Sequence, residues 1–278
     1  MKKQLKIKDH LVSKEDFLVL EHLPGVLKTQ PHITDKELAK YYESAQYISH
    51  SSGTGLFDGV YAFFSRLMLS KKFNLIKKHL DKDSVVLDFG CGKGAFVSFL
   101  SNKGYDSIGI ENNKNAIKQC VENNIKTKPS IKEITSGFKA ICFWHSFEHL
   151  SNYKQTLSSI SELIDDHGTV LIALPNYESF DAKYYGSFWA AYDVPRHRFH
   201  FSSAGLINTM SGAGFTFIKK HPLLLDAFYV SMLSEKYKNN KLYFLFGFVV
   251  GLISNCLGLL SSNFSSSAYI FKKSGLRL

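Results

Sequence analysis

Cysteine is scarce in this chain: Cys91, Cys120, Cys142 and Cys256 are all there is in 278 residues, and no two are spaced C-x-x-C. That excludes a disulfide scaffold and a zinc ribbon and fits a reducing, cytoplasmic setting. The basic start "MKKQLKIKDHLVSKED" is not followed by an apolar run of signal-peptide length, so export is not expected. Internal repeats and low-complexity tracts are also missing, which excludes solenoids, arrays and long disordered linkers. Acidic residues are outnumbered 24 to 34, giving a formal charge of +10, yet no continuous basic stripe exists. The lysines come in scattered pairs, Lys71-Lys72, Lys77-Lys78 and Lys219-Lys220. A nucleic-acid partner is therefore not expected, and the charge reads as solvated surface with a leaning toward anions.

What is present is a core. Hydrophobic residues make up 45% of the chain and aromatics 14%, enough for one large α/β domain with an insertion. Residues 1–56 read as an extension: short alternating stretches such as "FLVLEHL", a turn at "LPG", and a helix from Thr34, where Glu37 completes a capping box. Taken whole, that extension is expected to be helical. A second helix is expected over about 57–80 from apolar residues at helical spacing. From residue 84, strand and helix alternate through "SVVLDF", "AFVSFLSNKG", "DSIGIE", "NNKNAIKQCVENN", "FKAICFW", a helix capped by Ser151, and "GTVLIALPN". Short connections of this kind imply parallel strands in a doubly wound, Rossmann-like α/β sheet with helices on both faces. The core is thus expected over 57–221, a hydrophobic cap insertion over 222–264, and the final strand over 265–278.

The stretch "VVLDFGCGKGAF" ends the first strand of this unit with Asp88 and follows it with Gly90, Gly92 and Gly94. Ligands in such sheets bind past the carboxyl ends of the strands. The spacing loosely satisfies the dinucleotide fingerprint G-x-G-x-x-G/A, and Glu111 ends the next strand 21 residues after Gly90, where an acid meets a ribose. Asp88 separates the candidates. A carboxylate two residues before the loop would repel a pyrophosphate, whereas it favours a ligand carrying an ammonium and a sulfonium. An acid-terminated strand, G-x-G-x-G, and a second acid resemble the class I S-adenosylmethionine-dependent methyltransferases. That resemblance implies S-adenosyl-L-methionine as cofactor, held by Asp88, Phe89, Gly90, Cys91, Gly92, Gly94, Glu111, Asn112, Trp144 and His145.

The resemblance runs over about residues 34–221. "ICFWHSFEHL", "LPNYESF" and "DVPRHRFHFS" are similar to segments of the bacterial group that includes the ubiquinone-biosynthesis O-methyltransferases. Relatives often carry a cysteine-bearing ribbon before the domain, but no cysteine precedes Cys91 here. "TKPSIKEITSG" supplies no clear acid for an adenine amino group. That group holds a divalent cation with E-x-x-E-H, and His145, Glu148 and His149 fall on those positions; a metal is not the expected outcome, and the preferred reading has these histidines ordering the loop. His145-Ser-Phe-Glu148-His149 also matches the peptidase pattern H-x-x-E-H, but it follows a buried strand rather than lying on a helix. His145 and His149 are the candidate catalytic bases.

Nine aromatics crowd residues 177–201, either as a lid over an apolar substrate or as a second core. Tyr185, Trp189, Arg196 and His197 are the candidate substrate contacts. Arg196 would pair with an acidic substrate group or, equally, with Asp193. "LYFLFGFVVGLISNCLGLL", residues 242–260, has no charge and follows Lys236, Lys238 and Lys241. It reaches spanning length, but a strand of the same sheet follows it, so a buried cap helix is preferred and peripheral membrane contact is the alternative. The function expected is methyl transfer to a small-molecule acceptor, with O-methylation of an apolar, aromatic or glycan- or lipid-linked compound foremost. A nicotinamide-dependent oxidoreductase, an RNA or protein methyltransferase and a non-catalytic binding protein of the same fold are the alternatives.

Overall fold

The computed structural model describes residues 4–42, 67–134 and 137–274. The helix expected over 57–80 is seen from 67 to 76 (α2); its first part, and the continuation of the Thr34 helix beyond 42, lie outside the described residues.

Seven strands form the main sheet: β4 (Val85–Phe89), β5 (Asp106–Ile110), β6 (Thr127–Lys128), β7 (Phe138–Trp144), β8 (Ile164–Pro175), β10 (Phe215–Pro222) and β11 (Ser266–Lys273). Their order is β10-β11-β8-β7-β4-β5-β6. Strands β6, β5, β4, β7 and β8 run parallel, and β11 is antiparallel to both neighbours. Helices α3 (Ala95–Ser101), α4 (Lys114–Glu122) and α5 (Tyr153–Leu163) make the crossovers. Period-2 alternation places Ala140, Cys142 and Trp144 in the core on one face and Ile141 and Phe143 in the core on the other. The chain turns from β4 to β5 on one side and returns to β7 on the other, so the ends of β4, β5 and β7 form the crevice where such sheets bind ligands. The expected doubly wound architecture is therefore what the chain adopts.

The reversal of β11 has a simple cause. Between β10 and β11 lie two helices, α8 (Leu224–Tyr237) and α9 (Tyr243–Ser261), which go out and back as a hairpin. They return the chain to where β10 ended, with Pro222 opposite Ser267, and a strand starting there must run antiparallel.

Two details differ from expectation. The crossover before β8 is capped by Asn152, whose Oδ1 accepts from the Gln155 amide at 3.2 Å, and not by Ser151. More substantially, the extension is not mainly helical. Residues Gln4–Lys8 (β1), Asp16–Leu23 (β2) and Val26–Gln30 (β3) form an antiparallel sheet completed by β9 (Phe199–Phe201). The alternation in "DFLVLEHL" buries Phe17 and Val19 and exposes their neighbours, the pattern of a half-buried strand. Among the described residues of the extension, the α-helix is the one the capping box starts, α1 (Asp35–Leu38), with Thr34 and Glu37 bonded reciprocally. This second sheet and the segment after β8 enclose a separate core of Phe17, Val19, Tyr177, Tyr185, Trp189 and Tyr192.

Candidate active site

The glycine loop leaves β4 with Gly90, Gly92 and Gly94 at φ of 77°, 55° and 75°. Gly90 and Cys91 both donate to the Ile110 carbonyl, at 2.8 and 3.0 Å, which pins the loop to the end of β5. The first two glycines serve different needs. A Cβ on Gly90 would stand 2.5 Å from Ser146 Cβ, whose hydroxyl donates to the Phe89 carbonyl, so here the loops from β4 and β7 touch. A Cβ on Gly92 would meet nothing within 4 Å: the backbone there faces open space, the room a ligand lying on the loop requires.

Glu111 is held by the backbone at the end of β5. Its Oε2 accepts from the Gly92 amide at 2.9 Å, and its Oε1 from the Asn112 and Asn113 amides at 2.9 and 2.8 Å. A carboxylate offers about four acceptor sites, so one remains on Oε2 for a hydroxyl. Asp88 is the opposite case. It is 3% exposed, and its Oδ1 is buried without a hydrogen-bond partner. Burial pushes its carboxyl up to about 7, with Lys72 pulling the other way and Glu111 adding to the rise. Lys72, from α2, has its ammonium 4.8 Å from the centre of the Trp144 ring, and burial lowers its pKa against the pull of Asp88. Trp144 Nε1 is likewise buried without a partner. An orphaned acid below an open backbone loop, with a ribose-type acceptor opposite, fits S-adenosylmethionine: its ammonium would satisfy Asp88 and its ribose Glu111. Phe89 contributes its backbone, since its ring stacks on Phe143 at 4.8 Å. The Cys91 thiol is raised by burial and stays protonated.

The loop after β7 carries the titratable groups. His145 sits at φ 52°, and its ring lies between two acids: its Nε2 is 3.2 Å from Asp226 Oδ2, on α8, and its Nδ1 is 3.6 Å from Glu148 Oε1. Burial would lower its pKa, but Asp226 and then Glu148 raise it, to about 10. Glu148 is 2% exposed, and neither oxygen has a hydrogen bond. Burial would raise its pKa; His145, His197 and His149 outweigh that and hold it near 2. His149 Nδ1 is 3.0 Å from the Arg196 carbonyl, and His197 Nδ1 is 2.9 Å from the Ala191 carbonyl. A carbonyl only accepts, so both Nδ1 atoms carry a proton and donate it to those carbonyls. Burial, reinforced by His197, lowers His149 to about 4 and keeps it neutral.

Glu148, His149 and His197 thus bring one donor atom each to within 4.8 Å of one another. The H-x-x-E-H set does not assemble as spaced; His197, from 48 residues further on, takes the place of His145. Two imidazoles and a carboxylate, with carbonyls fixing both rings, suit a zinc-like ion better than magnesium. They also suit a proton relay.

Of the candidate substrate contacts, Trp189 and His197 wall the recess that holds Glu148, together with Tyr177 and Phe199. The Trp189 indole donates to Asp181 at 2.7 Å, an acid that also accepts from Ser254 and Ser265 and so ties the helical hairpin to the core. Arg196 does not face the recess. It is 1% exposed, and its guanidinium donates to Asp193 at 2.6 and 2.9 Å, Asp9 at 3.0 Å and the Tyr41 carbonyl at 3.1 Å, so it pins the extension to the core. Tyr185 is 4% exposed in the second core and does not line the recess. Sequence reasoning missed Lys72, Ser146 and Asp226, which reach the site only through tertiary folding.

Comparison with known proteins agrees with this geometry. No curated protein matches the sequence. Among solved structures, magnesium protoporphyrin IX methyltransferase from Synechocystis PCC 6803 with bound S-adenosylhomocysteine is similar at 10% identity and a TM-score of 0.56, over 86% of this chain and 100% of that one. A mycolic acid cyclopropane synthase complexed with S-adenosylhomocysteine is similar at 15% identity and 0.52, over 73% and 83%. A S-adenosylmethionine-dependent methyltransferase from Archaeoglobus fulgidus is similar at 22% identity and 0.51, over 75% and 94%. These likenesses show the fold. The model of the methyltransferase domain matches residues 62–220, more than half of the chain. The chain belongs to that family, as a class I S-adenosylmethionine-dependent methyltransferase.

Proposed function

We propose that the acceptor is a small molecule methylated on oxygen, with His149 taking its proton. Methyl transfer from a sulfonium is an in-line displacement in which the leaving group becomes neutral, so the chain's main work is to align acceptor and donor and to keep water out. A hydroxyl acceptor needs one thing more, a base. His145 cannot serve at neutral pH, because its two carboxylate neighbours keep it protonated. His149 can: it is neutral, and Glu148, whose carboxylate lies within 4.8 Å of one of its ring nitrogens, stands by to balance the charge once the proton arrives. A base of pKa near 4 is weak even with the Glu148 carboxylate beside it, so its work depends on the acceptor hydroxyl being held against it.

The observation that carries this reading is the buried, unbonded Glu148 carboxylate between two imidazoles whose Nδ1 atoms donate to carbonyls. The likeness of the "HSFEHL" loop to the ubiquinone-type O-methyltransferases supports it. Similar solved structures include a magnesium protoporphyrin IX methyltransferase, a coclaurine N-methyltransferase and a mycolic acid cyclopropane synthase, so fold alone does not choose. The test is labelled-methyl transfer into quinone, lipid and glycan extracts, with and without chelator. Base-stable label on a hydroxyl-derived ether supports the proposal; label appearing only on nitrogen or carbon contradicts it.

A further inference from the structure

The helical hairpin is exposed in an unusual way. Helix α9 packs on α8 through its small residues: a Cβ on Gly247 would stand 2.4 Å from Met232 Cα, and one on Gly251 would stand 2.9 Å from Phe228 Cα. Gly247, Val250, Gly251, Ser254, Asn255 and Gly258 are its buried side. At 3.6 residues per turn these positions cover an arc of roughly 140°, leaving roughly 220° outward. On that outward arc stand Leu245, Phe246, Phe248, Leu252, Leu259 and Leu260, from 45% to 86% exposed, and it carries no charge. The helix is long and apolar enough to span a membrane, and only 28% of its apolar window is buried. A buried cap helix, the preferred expectation from sequence, is therefore not what forms.

We infer that the α8–α9 hairpin docks the protein on the surface of an anionic lipid bilayer, lying in the interface with its apolar arc among the acyl chains. Three observations favour lipid over a second copy of the chain. An apolar arc wider than a half-turn cannot be covered by one flat, self-complementary patch, whereas fluid chains solvate a helix on all its free sides. The charges are of one sign: Lys236, Lys238 and Lys241 are exposed at the hairpin's bend, while its two acids are withdrawn, Asp226 against His145 and Glu235 at 2% exposure. Aromatics accompany the lysines, with Lys236 over the Tyr243 ring at 4.6 Å and Lys238 over Tyr184 at 5.6 Å, the mixture found at membrane interfaces. A span is disfavoured because β11 must return to the sheet beside β10.

This deepens the proposed function by naming where the acceptor comes from. Leu224 and Leu225 are exposed on either side of the chain entering α8, next to Asp226, whose carboxylate meets His145 at the cofactor loop. The lipid-facing surface thus begins beside the active site, and the acceptor class is an amphiphile drawn from the bilayer.

The experiment is flotation of the full chain with vesicles of phosphatidylcholine alone and of phosphatidylcholine with phosphatidylglycerol, each with and without about 0.5 M salt, at which the Debye length falls to roughly 4 Å. Binding to the anionic vesicles is expected, weaker in salt. Replacing Lys236, Lys238 and Lys241 with glutamine should lower partitioning by about 100-fold, given roughly fivefold per lysine near an anionic surface. Leu245→Glu with Leu252→Glu should abolish it while S-adenosylhomocysteine still raises the melting temperature, which shows the fold intact. Three results overturn the inference: no binding to either vesicle, a stable dimer in light scattering that the same double substitution dissolves, or resistance to carbonate extraction, which would mean a span. Methyl transfer to a water-soluble acceptor persisting without vesicle binding would sink this inference and leave the proposed function standing.

Discussion

His145 Nε2 lies 3.2 Å from Asp226 Oδ2, so the loop that follows β7 is joined to the first turn of the helical hairpin. One residue belongs to the cofactor side and the other to the element that covers it. The pair makes the closure of the hairpin on the site dependent on charge.

His145 is raised in the folded protein from 6.5 to about 10, so its contribution to stability is full below pH 6.5 and is lost as the pH rises through about 10. Melting temperatures across pH 6 to 10.5 should therefore fall for the native chain over that window. Asp226→Asn removes the larger of the two carboxylate effects and should flatten the profile. An identical slope in both proteins would show that the contact carries no weight in solution.

Asp88 gives a profile in cofactor affinity. Its carboxyl is raised to about 7, mainly by burial, so the free protein loses stability as pH rises from about 4 to about 7, and the ionised form waits for a cation. Binding of S-adenosylmethionine should release a proton near pH 7, and affinity should rise between pH 6 and pH 8. Calorimetry in buffers of different ionisation enthalpy reads both. Asp88→Asn should make the free protein more stable above pH 7, weaken the cofactor and abolish the proton release. An Asp88→Asn chain that binds as tightly as the native one would remove Asp88 from the site.

Arg196 should behave as a structural residue. Its guanidinium neutralises Asp9 and Asp193, and replacing it with methionine leaves two buried acids uncompensated, at a cost of about 3–5 kcal/mol. Denaturant unfolding should show that loss in Arg196→Met, with little change in S-adenosylhomocysteine affinity at permissive temperature. A stable variant with a raised acceptor KM would return Arg196 to substrate binding.

The contrast between Glu111 and Arg196 shows how far the sequence could be read. Glu111 was legible because its role depends on local order: a strand, a glycine loop, a second strand, and an acid at its end. The final strand and the insertion before it were legible from the same periodicity. For Arg196 the nearby partner Asp193 was legible, but its second acid, Asp9, was not, because it lies 187 residues earlier, just past β1 of another sheet. The same distance hid that sheet, whose fourth strand comes from the segment around His200. His145, Glu148 and His149 were legible as a loop cluster, but not that His145 would reach across to Asp226 as well as Glu148, nor that His197 would complete the group of donor atoms with Glu148 and His149. Helix α9 defeated composition for a different reason: an apolar run is the same string whether protein or lipid is to cover it.

The central claim, that the acceptor's proton passes to His149 above a cofactor held by Asp88 and Glu111, is tested most directly by single-turnover methyl transfer to a hydroxyl acceptor in the native chain and in His149→Gln. S-adenosylhomocysteine affinity is measured on the same samples. The rate should fall by about 10²–10⁴-fold with affinity unchanged. An undiminished rate in His149→Gln would contradict the account.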